Sequence, residues 1–165
     1  MNFRRIFRHL FLPQWSIGLA FPKRVLQAIE QAIAASEKNH DAELRFVVEA
    51  GLALPALLRG QTARQRAIEV FSQLRVWDTE HNSGVLIYVQ LIDRKVEILA
   101  DRGINALVPQ AEWDAICHRI EQRYRKGEFE QGTLAAIEEI TVSLARHFPP
   151  REKNPDELPN RPIVL

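Results

Sequence analysis

Residues 77–104 read WDTEHNSGVLIYVQLIDRKVEILADRGI, and this stretch decides the fold. Val85, Ile87, Val89 and Leu91 alternate with Leu86, Tyr88, Gln90 and Ile92, the period of two that a pleated strand imposes. Val96, Ile98 and Ala100 alternate in the same way with Glu97, Leu99 and Asp101. A hairpin joins the two runs. With Asp93-Arg94 at the turn, Leu91 faces Val96, Val89 faces Ile98 and Ile87 faces Ala100, so every apolar partner lands on one face. Asp-Arg suits a two-residue turn poorly, because both positions need positive φ. A four-residue loop from Ile92 to Lys95 keeps the same pairing, and the sequence leaves both forms open.

The hairpin sorts the charges into two groups. Asp93 and Arg94 sit at its tip, while Asp101, Arg102 and Gly103 lie at the far end, which Asp78, Thr79 and Glu80 approach from before the first strand. At about 3.3 Å per residue, Asp93 and Asp101 stand roughly 25 Å apart and do not share a ligand. The polar cluster with chemical potential is therefore Asp78, Glu80, Asp101 and Arg102.

On either side of the hairpin the pattern becomes helical. Pro22 suits the first turn of a helix to about Lys38, with Val25, Leu26, Ile29 and Ile33 on one face. Residues 43–50, ELRFVVEA, read as the first strand, and the run Phe46-Val47-Val48 is that of a strand covered on both sides. A leucine-rich connection follows; Leu52, Leu54, Leu57 and Leu58 either plug the core edge or form an exposed patch. Thr62 with Gln65 forms a capping box for a helix to about Val76, with Ala67, Ile68, Phe71 and Leu74 inward. After the hairpin come helices over about Pro109–Lys126 and Phe129–His147, the first stopped by Gly127. Helix, strand, helix, strand, strand, helix, helix predicts a mixed sheet with helices on both faces, an α/β/α sandwich.

The two ends differ from this core. Phe3, Ile6, Phe7, Leu10 and Phe11 follow helical spacing, with Arg4, Arg5, Arg8 and His9 on the other side. That is the composition of a helix lying in a membrane interface; the structural alternative packs its apolar stripe on the protein's own core. From Pro149 the chain is rich in proline and polar residues and reads as an extended tail, whose Ile163, Val164 and Leu165 dock either on the domain or on a partner. The organisation expected is thus 1–20 as an amphipathic basic segment, 21–149 as one domain and 150–165 as the tail.

Composition narrows the function. The chain has 165 residues and a net charge of +1, which exerts no global pull towards nucleic acid. One cysteine, Cys117, forms no internal disulfide and falls on an apolar helix face, where a buried inert thiol is expected. No apolar run has the length of a membrane span or the form of a secretory leader, so a cytoplasmic location is expected, with peripheral contact at the inner membrane through residues 1–12. There is no Walker lysine motif, GxGxxG or GxSxG, and the histidines have no zinc spacing, although His40 and His81 precede strands that could be neighbours. Gly60-Gln61-Thr62 before a helix is at most a weak anion site.

The chain resembles the TPM domain family, which includes a thylakoid lumen protein of photosystem repair, a nematode receptor auxiliary protein and many bacterial proteins. The resemblance runs from about Phe21 to Pro149. It rests on ELRFVVE, RAIEVF, NSGVLIYV, IDRKVEI, DRGI and YRKGEFEQG, and the stretches WDTE (Trp77–Glu80) and ADRGI (Ala100–Ile104) match short bacterial members. It implies a Rossmann-like three-layer sandwich, weak acid phosphatase activity as described for plant members, and an association with LemA-type membrane proteins. The family's paired aspartates before the turn arginine are here Ile92-Asp93-Arg94, with one carboxylate missing. Its glycine-aromatic-glycine is here Asp101-Arg102-Gly103.

Three functions follow as expectations, the third being a cytoplasmic ligand-binding domain without membrane contact, which needs the N-terminal helix packed inward. The first is a non-enzymatic accessory module at the cytoplasmic membrane face, meeting a LemA-type protein or an anionic lipid surface through Phe3, Arg4, Arg5, Ile6, Phe7 and Arg8. The second is a weak phosphomonoesterase assisted by Ca²⁺ or Mg²⁺, with Asp78, Glu80 and Asp101 as metal ligands and Arg102 clamping phosphate. Against the second stands a structural reading, in which Asp78 and Thr79 shape a turn, Asp101 ends a strand, Arg102 pairs with a neighbour, and Asn82-Ser83-Gly84 is a turn.

Overall fold

The computed structural model describes residues 3–11, 15–151 and 155–165. At its centre β1 (Glu43–Glu49) and β2 (Gly84–Gln90) run parallel, Glu43 opposite Gly84 and Glu49 opposite Gln90. Both strands are buried along their whole length, as their apolar runs predict. β3 (Lys95–Ala100) pairs antiparallel with β2, and β4 (Ile163–Val164) pairs parallel with β1, giving the order β3-β2-β1-β4.

Each face of this sheet carries helices. On one side Leu44, Phe46, Val48, Ile87 and Ile98 pack against α3 (Lys23–Ser36), α7 (Gln110–Arg125) and α8 (Phe129–His147). Trp113 and Tyr124 of α7 are buried there, and the Phe21 ring meets Phe46, Tyr124 and Phe129 with centroids 5.7, 6.0 and 5.7 Å away. On the other side Val47, Leu86, Tyr88 and Leu99 pack against Ala63, Ala67 and Val70 of α5 (Ala63–Gln73). The three layers form an α/β/α sandwich. The crossover that parallel strands require runs through α4 (Leu54–Leu58) and α5. The Thr62–Gln65 capping box opens α5 as the sequence indicates, with reciprocal bonds of 3.1 and 2.9 Å.

The hairpin corrects the expected register by two residues. Val89 faces Val96, Ile87 faces Ile98 and Val85 faces Ala100, while β2 ends at Gln90 and a loop runs from Leu91 to Arg94. Leu91 and Ile92 leave β3 because their amides follow β1 instead, donating to Glu49 and Ala50 carbonyls at 2.9 and 3.2 Å. The loop closes with Asp93 N donating to Gln90 Oε1 at 2.8 Å and with Arg94 at φ 52°. A slip of two preserves the face, so the same side chains fill the core.

Three smaller differences have local causes. Ile68, expected inward, is exposed, and Val70 is buried in its place; the inward stripe of α5 is Ala63, Ala67 and Val70. The leucine connection splits. Leu52 and Leu57 are buried with Ala56 and partly buried Ile6, whereas Leu54 and Leu58 are exposed. The last residues of the chain dock on the domain: Leu158 is buried, its amide donates to Glu43 Oε2 at 3.0 Å, and Leu165 N reaches Val48 O at 3.0 Å beyond β4.

Two buried groups are structural. His40 Nδ1 accepts from Ala42 N at 3.2 Å, so Nε2 carries the proton and donates to Ser36 Oγ at 2.8 Å, which continues to Thr141. Burial pushes this imidazole down to about 4, which keeps it neutral. His81 lies elsewhere, beside Arg151 and Glu80, so the two histidines do not meet. Burial likewise lifts the Cys117 thiol to about 12, far from a nucleophile.

Candidate functional site

In open α/β sheets, ligands lodge beyond the carboxyl ends of the parallel strands. Here that end begins with Glu49, the last residue of β1. Its carboxylate takes a fork from Arg66 of α5, Nε to Oε2 at 2.9 Å and Nη2 to Oε1 at 3.0 Å, and a hydrogen bond from the Tyr88 hydroxyl. Glu49 is buried, and the bond it makes raises the Arg66 guanidinium, while burial and the Glu49 charge raise the Tyr88 hydroxyl. Every strong partner in this group is committed to another.

The rest of that end is closed by α1 (Phe3–Phe11). Arg5 Nε donates to Asp93 Oδ2 at 2.9 Å, and its Nη2 donates to the Gln61 carbonyl at 3.0 Å. Arg8 Nη2 donates to the Ile92 carbonyl. The His9 side chain has no solvent exposure; Nδ1 accepts from Leu52 N at 3.0 Å, which leaves Nε2–H to donate to Asp93 Oδ1 at 3.0 Å. Burial alone would raise the Asp93 carboxyl, but hydrogen bonds from His9 and Arg5 and the Arg5 charge hold it down at about 2. One helix face thus satisfies the hairpin tip and the Leu52 amide that follows β1.

This orientation inverts the usual amphipathic arrangement. Arg5, Arg8 and His9 reach to the hairpin loop, and Phe7, Leu10 and Phe11 are 61, 51 and 67 % exposed. Ile6 is partly buried against Leu52, Ala56 and Leu57, so one apolar residue packs inward while the ridge beside it does not. Of the six expected contact residues, Arg5 and Arg8 are engaged within the protein, Ile6 is half-covered and Phe7 is open. The side chains of Phe3 and Arg4 lie outside the described residues.

The cluster expected at the other end of the hairpin has a structural employment. Asp101 caps the one-turn helix α6 (Arg102–Asn105), its Oδ1 accepting from Arg102 N at 2.7 Å. Arg102 Nε donates to Asn82 Oδ1 at 2.8 Å, and Gly103 N donates to Asn82 O at 3.1 Å. The DRG loop is therefore clasped to the Asn82-Ser83-Gly84 turn. A Cβ on Gly103 would lie 2.6 and 2.7 Å from the His81 and Asn82 carbonyl oxygens, so the glycine is required by close approach. Glu80 offers its amide to Glu157 at 2.9 Å, its carboxylate lies 3.7 Å from His81, and Asp78 is exposed.

A hard divalent cation needs several oxygens on one point. Among the described residues, Asp78, Glu80 and Asp101 do not form a group of ligand atoms within 4.8 Å; Glu37, Glu43 and Asp156 do. These expected ligands therefore do not fit a shared ion. Sequence reading missed the second group because Asp156 reaches it only through the returning C-terminal segment. Two of its carboxylates serve the backbone: Glu37 Oε1 accepts from Leu44 N at 2.9 Å and Glu43 Oε2 from Leu158 N. Burial, then the neighbouring acids, lifts the Glu37 carboxyl to about 8 and also raises that of Glu43.

Comparison with known proteins agrees with this architecture. The chain is similar to the BA42 protein of the psychrophilic bacterium Bizionia argentinensis, solved by NMR, at 33% identity over 86% of this chain and 93% of that one, with a TM-score of 0.76. The N-terminal domain of a P. gingivalis protein shares the fold at 18% identity over 76% of this chain and 79% of that one, with a TM-score of 0.58. No curated protein matches the chain. The family model for the TPM domain matches residues 20–142, which span the helices and strands of the sandwich from Ala20 into α8, and the chain belongs to the TPM domain family.

Proposed function

We propose that this TPM domain is a non-enzymatic accessory module that docks through α1 on a LemA-type protein at the cytoplasmic face of the membrane. The observation that carries this reading is the outward ridge of Phe7, Leu10 and Phe11, whose two rings stack with centroids 4.3 Å apart. Three large apolar side chains on one short helix are worth about 1.5–3 kcal/mol each once covered. An anionic lipid surface is the less favoured partner. Headgroups attract arginines at about 1 kcal/mol each, and releasing Arg5 and Arg8 to them would leave Asp93 half-buried without its cation. An apolar groove on a protein takes the ridge without disturbing that contact. The module is read as non-enzymatic because the four expected catalytic residues serve a turn, a cap and the surface.

The test uses nanodiscs of anionic lipid, empty or carrying a LemA-type membrane protein. The full chain is expected to bind the loaded discs, and the double variant Phe7→Ala, Phe11→Ala to bind at least about tenfold more weakly, while its stability stays within about 1 kcal/mol. Equal binding of both forms, or saturable binding to empty discs, would overturn the docking assignment. Phosphomonoester hydrolysis with Mg²⁺ or Ca²⁺ is expected to be absent; turnover that Asp101→Asn abolishes would overturn the non-enzymatic reading.

A further inference from the structure

β4 pairs only with Val47 and Val48, so the first half of β1 is flanked by the returning chain and not by a strand. Between that segment and α3 a groove of 780 Å³ opens. Arg45 of β1 lines it at 6% exposure. Its Nη1 is sealed from solvent and meets no hydrogen-bond acceptor, and Arg45 joins no ion pair among the described residues. A sealed guanidinium nitrogen without an acceptor is costly, and burial lowers the Arg45 pKa against the opposing pull of Glu37.

The rest of the lining says what would satisfy that nitrogen. Lys23 and Arg161 stand with Arg45 around the groove, against the single carboxylate of Glu30, and Leu26 and Ile163 give it apolar walls. Three cations and one acid leave two positive charges for a ligand to meet. A planar guanidinium favours an oxyanion with two oxygens in one plane. We propose that this groove binds a small organic dianion, its oxyanion forked on Arg45 and its apolar body lying against Leu26 and Ile163. Arg45 lies four residues before Glu49, about 13 Å along the strand, so this site is independent of the α1 ridge.

The full chain is titrated by calorimetry with phenyl phosphate, phthalate, inorganic phosphate and benzoate, and followed by amide NMR. Binding of phenyl phosphate or phthalate is expected, with shifts at Leu26, Arg45 and Ile163, and with inorganic phosphate and benzoate at least tenfold weaker. Arg45→Met is expected to lose that binding and to melt at a higher temperature than the wild type without ligand, because the unpaired charge is gone. Arg161→Glu is expected to weaken binding tenfold or more. No binding of any of the four anions, binding by Arg45→Met equal to wild type, or inorganic phosphate binding as tightly as phenyl phosphate would each overturn the assignment. If Arg45→Met fails to fold, unchanged affinity in Arg161→Glu overturns it.

Discussion

Gly84→Ala is expected to destabilise the protein by more than about 4 kcal/mol, enough to consume most of the stability of a domain this size. Gly84 opens β2 opposite Glu43, and a Cβ there would stand 1.8 Å from the Val76 carbonyl oxygen and 2.9 Å from its carbon. Both are backbone atoms, so no rotamer change relieves the clash. Either the turn from Trp77 to Ser83 lifts off the sheet or β2 loses its first pair with β1. Gly18→Ala is the matched control. Gly18 lies in α2 (Trp15–Ala20) with nothing within 4 Å of its would-be Cβ, and alanine there should stabilise by up to about 1 kcal/mol. Urea unfolding measures both; a Gly84→Ala protein within about 1 kcal/mol of wild type would mean the turn does not press on the strand.

Glu49→Ala is expected to cost about 3–5 kcal/mol. The loss would come less from the missing attraction than from what is stranded. Arg66, one-fifth exposed, would keep its charge without a carboxylate, and the buried Tyr88 hydroxyl would have no acceptor. Glu49→Gln should lose clearly less, since an amide oxygen still accepts one bond. A cycle adding Arg66→Ala should show coupling of about 1–3 kcal/mol, because the two side chains act as a unit. Additive losses in denaturant unfolding would mean the fork contributes little.

What could be read in advance was the periodic part. The alternation in Val85–Gln90 and Val96–Ala100, the helical stripe ending at His147 and the Thr62–Gln65 box all depend on neighbours in sequence, and they lie where they were expected. The hairpin register was set by a distant partner, the Glu49 and Ala50 carbonyls, that takes Leu91 and Ile92 away from β3. The split of the four leucines also depends on a distant element, since α1 covers one side of α4 through Ile6.

The candidate site was legible only as composition. Arg4, Arg5, Arg8 and His9 were visible as a basic face, but its direction depends on Asp93, more than eighty positions away. The missing family carboxylate beside Asp93 is the one hint available: a lone aspartate at a loop tip is a fitting counter-charge for an arginine and an acceptor for a histidine N–H. Arg45 gave no hint at all. Its neighbours in the groove, Pro159–Val164, come from the far end of the sequence.

The account turns on α1 lying with its cations on the hairpin tip and its aromatic ridge outward. The direct measurement is the titration of the Asp93 carboxyl by NMR in the full chain. The expected value is about 2, against an ordinary aspartate near 3.8. A folded value below the unfolded one means the contact stabilises above about pH 4 and that about 2 kcal/mol is lost as pH falls towards 2. Removing residues 1–11 should return Asp93 to the ordinary range or above it. An Asp93 that titrates near 3.8 in the full chain would mean α1 is not seated there, and the outward ridge with its docking role would fall with it.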